Sequence, residues 1–165
     1  MVVEEVFEDI IYPNLKEYVE TNNAYGARVT KAYPETSKVF PIIPVKLLPV
    51  TNKYNNFSYG EETYTFGIEI EVFAVDKTIE IVEDVPIGEN EVQETTTYKE
   101  VSKKTICDEL VKLIVNYIKE NYHFTIRVTH DVPNVDTNVY RNLIRLSGTL
   151  DTKYEGRLFI YPWSL

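Results

Sequence analysis

The sequence predicts an α+β fold: a mainly antiparallel β-sheet with two helices packed on one face and an extended β-hairpin arm. Three observations predict it. Apolar residues recur at helical spacing in two separate stretches, one near the N-terminus and one after residue 102. Clean apolar–polar alternation marks strands at 63–75 and 123–132. The order helix, strands, hairpin, helix, strands lacks the strict βαβ alternation of a parallel sheet. At 165 residues the chain suits a single domain, 1–165, large enough to bury roughly 70% of its unfolded surface.

The first helix rests on Val3, Val6, Phe7, Ile10, Ile11, Leu15, Tyr18 and Val19, one amphipathic stripe over residues 3–21. Pro13 falls inside it, which predicts a kink or a restart there. Residues 22–37 are polar and read as a connection. "VFPIIPVKLL" (39–48) is apolar and β-branched but holds Pro41 and Pro44. Proline donates nothing to a ladder, so this strand is expected at a sheet edge or with a bulge. A polar loop, 51–62, follows. In "TYTFGIEIEVFAV" (63–75), Tyr64, Phe66, Ile68, Ile70 and Val72 take one face, with Glu69 and Glu71 on the other.

Residues 76–101 contain two β-like runs around "PIGEN" and predict a hairpin arm. From Glu80 to Glu100 the arm holds seven acids against one base, Lys99. It reads either as a solvated hairpin or as an arm reaching a neighbouring subunit. The second helix, 103–121, shows an inner stripe of Ile106, Leu110, Leu113, Ile114 and Tyr117, and Thr105 with Asp108 fits a capping pair. "HFTIRVTHDV" (123–132) alternates, a Pro133-Asn134 turn follows, and a strand carrying Arg141 and Arg145 comes next. A short strand at 157–161 completes the set.

The formal charge of −9 argues against wrapping nucleic acid, because such binding rests on Lys and Arg neutralising phosphates. The acidic N-terminus lacks the layout of a signal peptide, and no apolar run approaches the roughly 18 residues of a membrane span. A single cysteine, Cys107, allows no intrachain disulfide, and the cell interior is the expected compartment. There is no Gly-rich phosphate loop, no cysteine pair for zinc and no helical histidine pair, so neither metal nor cofactor is expected. Glu69 and Glu71 project from one strand face about 7 Å apart, near a glycosidase spacing, but no cleft is implied around them. Cys107, in the first turn of the second helix, has no histidine partner in the sequence and is expected as a packed thiol. An enzyme is not expected.

Arg141 and Arg145 are four apart in a strand, so they share a face at about 13 Å, too far to clamp one anion. They suit cross-strand ion pairs with Glu69 and Glu71, each contributing about 0.2–1 kcal/mol, or contact with a neighbouring subunit.

Several segments carry a family resemblance: "LKEYVETNN", "TSKVFPIIPVKLLPVTN", "TFGIEIEVFAVD", "CDELVKLIVNYI" and, most tellingly, "FTIRVTHDVPNVDTNVYRNLIRLSGTLD". Together they resemble the tail-terminator (tail-completion, head–tail joining) proteins of long-tailed bacteriophages, over about three quarters of the chain. Residues 76–101 depart from that family's compact pattern as an expanded hairpin. The resemblance implies a homo-oligomeric, usually hexameric ring in the virion neck, assembled in the host cytoplasm. Such a ring caps the tail tube, ends its elongation and presents a docking surface for a head-side neck or connector protein. Its partners are then the tail tube protein, the connector and DNA that passes through the lumen without sequence-specific contact. Six copies at −9 each carry −54, which repels DNA phosphates. The expected contact residues are Tyr140, Arg141 and Arg145 with Glu69 and Glu71, and arm acids including Glu83, Asp84, Glu89 and Glu91. Another neck component (a head-completion or stopper protein, or a minor tail protein) and a stand-alone ligand-binding α+β domain remain open alternatives.

Overall fold

Proline has no N–H to give to a helix, so Pro13 must sit where none is needed. In the computed structural model, which describes residues 3–35, 38–56 and 61–151 (backbone alone at 51–56, 61–63 and 151), it sits in the first turn of a helix. Helix α1 (Val3–Val6) runs through a π turn (Phe7–Ile11) into α2 (Tyr12–Asn22). The Tyr12 N–H reaches back five residues to the Phe7 carbonyl. That wider turn takes up one residue just before Pro13 and lets Val6, Phe7, Ile11, Leu15 and Val19 all bury on one side. The expected irregularity at Pro13 takes this form.

The next two expectations need correction. The connection at 22–37 contains a strand, β1 (Arg28–Thr30), too short to show any periodicity. Side chains of α2 hold it in place: Lys16 Nζ donates to the Val29 carbonyl at 2.8 Å, and Glu20 Oε1 accepts from the Val29 N–H at 3.1 Å. Because β1 pairs in parallel with β2 (Ile42–Leu47), β2 is not an edge strand despite Pro44. Its antiparallel ladder with β4 (Glu61–Ala74) pairs Ile42 with Phe73 and resumes at Val45 with Ile70. Pro44 falls in that gap, and on its other side it is in register with Thr30 of β1.

The loop expected at 51–62 is also partly a strand. β3 (Thr51–Asn56) pairs antiparallel with the first half of β4, from Thr51 opposite Thr65 to Asn56 opposite Glu61. Its polar composition gave no alternation to read, and the ladder partner imposes the strand. The expected strand at 157–161 lies outside the described residues.

The main sheet runs β1-β2-β4-β8-β7, with β3 pairing on β4, and is antiparallel apart from β1. β7 (Thr125–Thr129) and β8 (Tyr140–Asp151) flank a ten-residue connection, so the strands are shorter at this turn than the alternation suggested. Asp131 adopts φ 53°, which turns the chain early. Gly148 of β8 leaves room for the Phe124 ring, which would lie 2.5 Å from an added Cβ and packs edge-on against Phe66 at 5.7 Å.

Helix α3 (Lys103–Asn121) has the expected bounds, and Ile106, Leu110, Ile114 and Tyr117 are buried as expected, with Leu113 half-buried. Its cap differs. Ser102, not the Thr105–Asp108 pair, is the N-cap, and its hydroxyl accepts from the Thr105 N–H at 3.2 Å. Both long helices cover one face of the sheet, where Phe66, Ile68, Ile70, Val72, Ile144 and Leu146 are buried beneath them. Tyr18 of α2 stacks on Tyr117 of α3 with ring centres 4.6 Å apart.

Between β4 and α3 the chain leaves as a separate two-stranded sheet, β5 (Lys77–Pro86) and β6 (Val92–Val101), the arm expected over 76–101. Its root is fixed to the body. Asp76 Oδ1 accepts from the Lys103 N–H at 2.8 Å, Lys77 Nζ donates to the Tyr25 carbonyl, and Val101 is buried. At the tip the Ile87 N–H donates to the Glu91 carbonyl at 3.0 Å.

Candidate assembly surface

The face of the sheet away from the helices carries the charged residues singled out in the sequence. Side chains directly opposite one another in a ladder share a face. Lys46 stands opposite Glu69, Glu69 opposite Arg145, and Arg145 opposite Arg127. One row across β2, β4, β8 and β7 therefore holds three cations and one acid. Arg145 Nε lies 3.3 Å from Glu69 Oε2 while its side chain stays 59% exposed. Arg127 and Lys46 are exposed and form no ion pair with a described residue. The row has a local charge of about +2, and the like-charged Arg127–Arg145 pair destabilises the isolated sheet.

Arg141 is held differently. Its Nε and Nη2 both lie 2.7 Å from Glu71 Oε2, and its guanidinium sits 5.5 Å from the centre of the Phe73 ring. Nη1 also donates to the Pro133 carbonyl at 3.4 Å. Tyr33 packs on the same Phe73 ring from the 31–35 segment, with ring centres 4.6 Å apart. Described residues already cover this half of the outer face, while Arg145 and Arg127 in the other half stay exposed. Of the expected contact residues, Glu69, Glu71, Arg141 and Arg145 meet on one face. Tyr140 does not join them: it points to the helix side and is half-buried against the core.

The arm segregates its charges as well. Ile79 packs against the core, so the face bearing Lys77, Ile79 and Ile81 is turned toward the body. The other face points outward and carries Glu80 opposite Tyr98, Val82 opposite Thr96, Asp84 opposite Glu94, and Thr78 opposite Glu100. All residues from Val82 to Glu100 are exposed, including Val82, Val92 and Tyr98. Of the named arm acids, Asp84 belongs to this outward face, Glu83 to the opposite one, and Glu89 and Glu91 to the tip.

A polar knot around a buried asparagine closes the end of the sheet. Asn142 is fully buried on the helix side of β8. Its Nδ2 donates to Asp108 Oδ1 at 3.1 Å, and its Oδ1 accepts from the Asp131 N–H at 3.0 Å, which fixes the left-handed turn. Burial works to raise the Asp108 pKa, but hydrogen bonds from Lys104 and Asn142 outweigh it and hold the carboxyl below the usual range. His130 Nδ1 lies 3.4 Å from the same carboxylate. A period-2 pattern marks Asn142 as inward-facing, and an inward Asn in a long strand is the one hint that a partner awaits it.

Cys107 is fully buried beside this knot, with Sγ 3.5 Å from the Val72 and Tyr140 carbonyls. Burial, aided by the Asp108 charge, pushes its thiol up to about 12, the opposite of an activated nucleophile. Among the described residues no group of three His, Cys, Asp or Glu side chains is placed to hold a metal, and no helix is long and apolar enough to cross a membrane. The chain matches no family model and no curated protein. Geometry and surface chemistry therefore carry the functional reading.

Proposed function

We propose that this chain is a structural subunit of the phage neck, a tail terminator that closes into a ring on the end of the tail tube. One observation carries the reading: a ten-residue-per-strand hairpin, rooted in the body, leaves every residue from Val82 to Glu100 exposed. A lone two-stranded hairpin is at best marginally stable in water, so a projecting arm of this length is a surface awaiting a partner. The resemblance over the remaining segments supplies the kind of assembly. In it the arm and the outer sheet face meet neighbouring subunits, the tail tube lies below, and the connector docks above. The lumen of such an acidic ring lets DNA slide, since phosphates find no cationic track to grip.

Electron microscopy of virions made without this chain tests the role. Overlong tails are expected of a terminator. Tails of normal length with leaking heads identify a stopper instead, and normal infectious particles refute a neck function altogether.

A further inference from the structure

The chain displays two like-charged pairs, each standing opposite across a ladder, and they have opposite signs. Asp84 faces Glu94 on the outward side of the hairpin, and Arg127 faces Arg145 on the open half of the outer sheet. Each pair is unfavourable within its own sheet. Both lie on exposed faces, and neither the arm nor Arg127 forms an ion pair with a described residue. With Glu80 and Glu100 the outward hairpin face carries four acids and no base, whereas the sheet row carries Lys46, Arg145 and Arg127 against Glu69.

Resting on the ring reading, we infer that the occupant of the open sheet face is a second copy of this chain: the outward face of one copy's hairpin lies across the Lys46–Glu69–Arg145–Arg127 row of the next. Docking sets Asp84 and Glu94 against Arg127 and Arg145, so each like-charged pair acquires counter-charges. Val82 and Tyr98, exposed between the acids, provide the apolar contact that a purely ionic surface lacks. The contact is heterologous, since arm and row are different patches. Repeated by rotation, it closes into a ring and leaves no arm unpaired. Strands of ten residues extend about 33 Å, enough to span a four-stranded row whose strands are about 4.8 Å apart.

Charge reversal in two places tests this. One variant carries Asp84→Lys and Glu94→Lys, the other Arg127→Glu and Arg145→Glu. All four sites are exposed, and circular dichroism checks that both variants fold. Assembly is read by sedimentation at rising concentration and by capping of tail tubes taken from particles lacking this chain. Each variant alone is expected to lose about tenfold or more in association. A one-to-one mixture is expected to recover it, because alternating copies make only swapped or native contacts. Variants that assemble like the unaltered chain overturn the proposed docking while leaving the ring intact. A mixture that fails to recover overturns it equally. An unaltered chain that never caps tubes refutes the ring reading itself.

Discussion

The arm can be removed without touching the core, and this separates folding from assembly. Ile81 and Thr97 are direct partners across the hairpin, so residues 82–96 can be replaced by an Asn-Gly turn that joins them. The excised residues are all exposed, and the cross-strand pairs lost with them contribute about 0.2–1 kcal/mol each, against an ordering cost of about 1–2 kcal/mol per residue that is no longer incurred. One of those pairs, Asp84–Glu94, is repulsive. The root contacts at Asp76, Lys77, Ile79 and Val101 all remain. The net change in stability is expected within about 1 kcal/mol, which at this chain length moves Tm by about 2–4 °C. Calorimetry measures the melting temperature, and sedimentation of the same sample measures assembly. The shortened chain should melt almost unchanged and no longer associate. A loss of about 10 °C or more would mean that the arm belongs to the monomer's fold, and unchanged association would remove the arm from the interface.

Three further outcomes follow from the interior. Asn142→Ala strands the Asp131 N–H and a hydrogen-bond position on Asp108, which should cost about 1–3 kcal/mol in urea denaturation; an unchanged midpoint would contradict the role given to the knot. Cys107, its pKa pushed up to about 12 by burial, should resist maleimide at mildly alkaline pH until the protein unfolds, and rapid labelling of native protein would show the thiol to be accessible. Asp108 has its pKa lowered on folding, so its stabilisation is present above the ordinary carboxylate pKa and is lost as pH falls through the folded value. Asp108→Asn should therefore flatten the decline in stability below about pH 4, and an identical acid limb in both proteins would count against the pairing.

The strongest periodic segments were legible in the sequence. The stripe of Ile106, Leu110, Ile114 and Tyr117 and the alternation from Phe66 to Val72 located α3 and β4, because those patterns reflect burial on one face. Pairing with Glu69 and Glu71 was also legible as a possibility for Arg145 and Arg141, since residue parity fixes which side chains share a face. What parity could not supply is register. That Arg127 stands opposite Arg145, and Asp84 opposite Glu94, depends on how strands align, and no single strand records it. β1 and β3 escaped for a related reason. One is three residues long and the other wholly polar in pattern, and each is a strand because a neighbour completes its ladder. Pro44 pointed to an edge that β1 covers, and Tyr140, adjacent to Arg141 in sequence, points to the opposite face of the sheet.

We propose that copies of this chain close into a ring on a tube end, and counting subunits there is the decisive test. Cryo-electron microscopy of tail tubes incubated with the purified chain should show a cap at one end only, with six copies and each hairpin lying on its neighbour's sheet. Density scattered along the tube walls, or bare tube ends at saturating protein, would rule out a terminal ring.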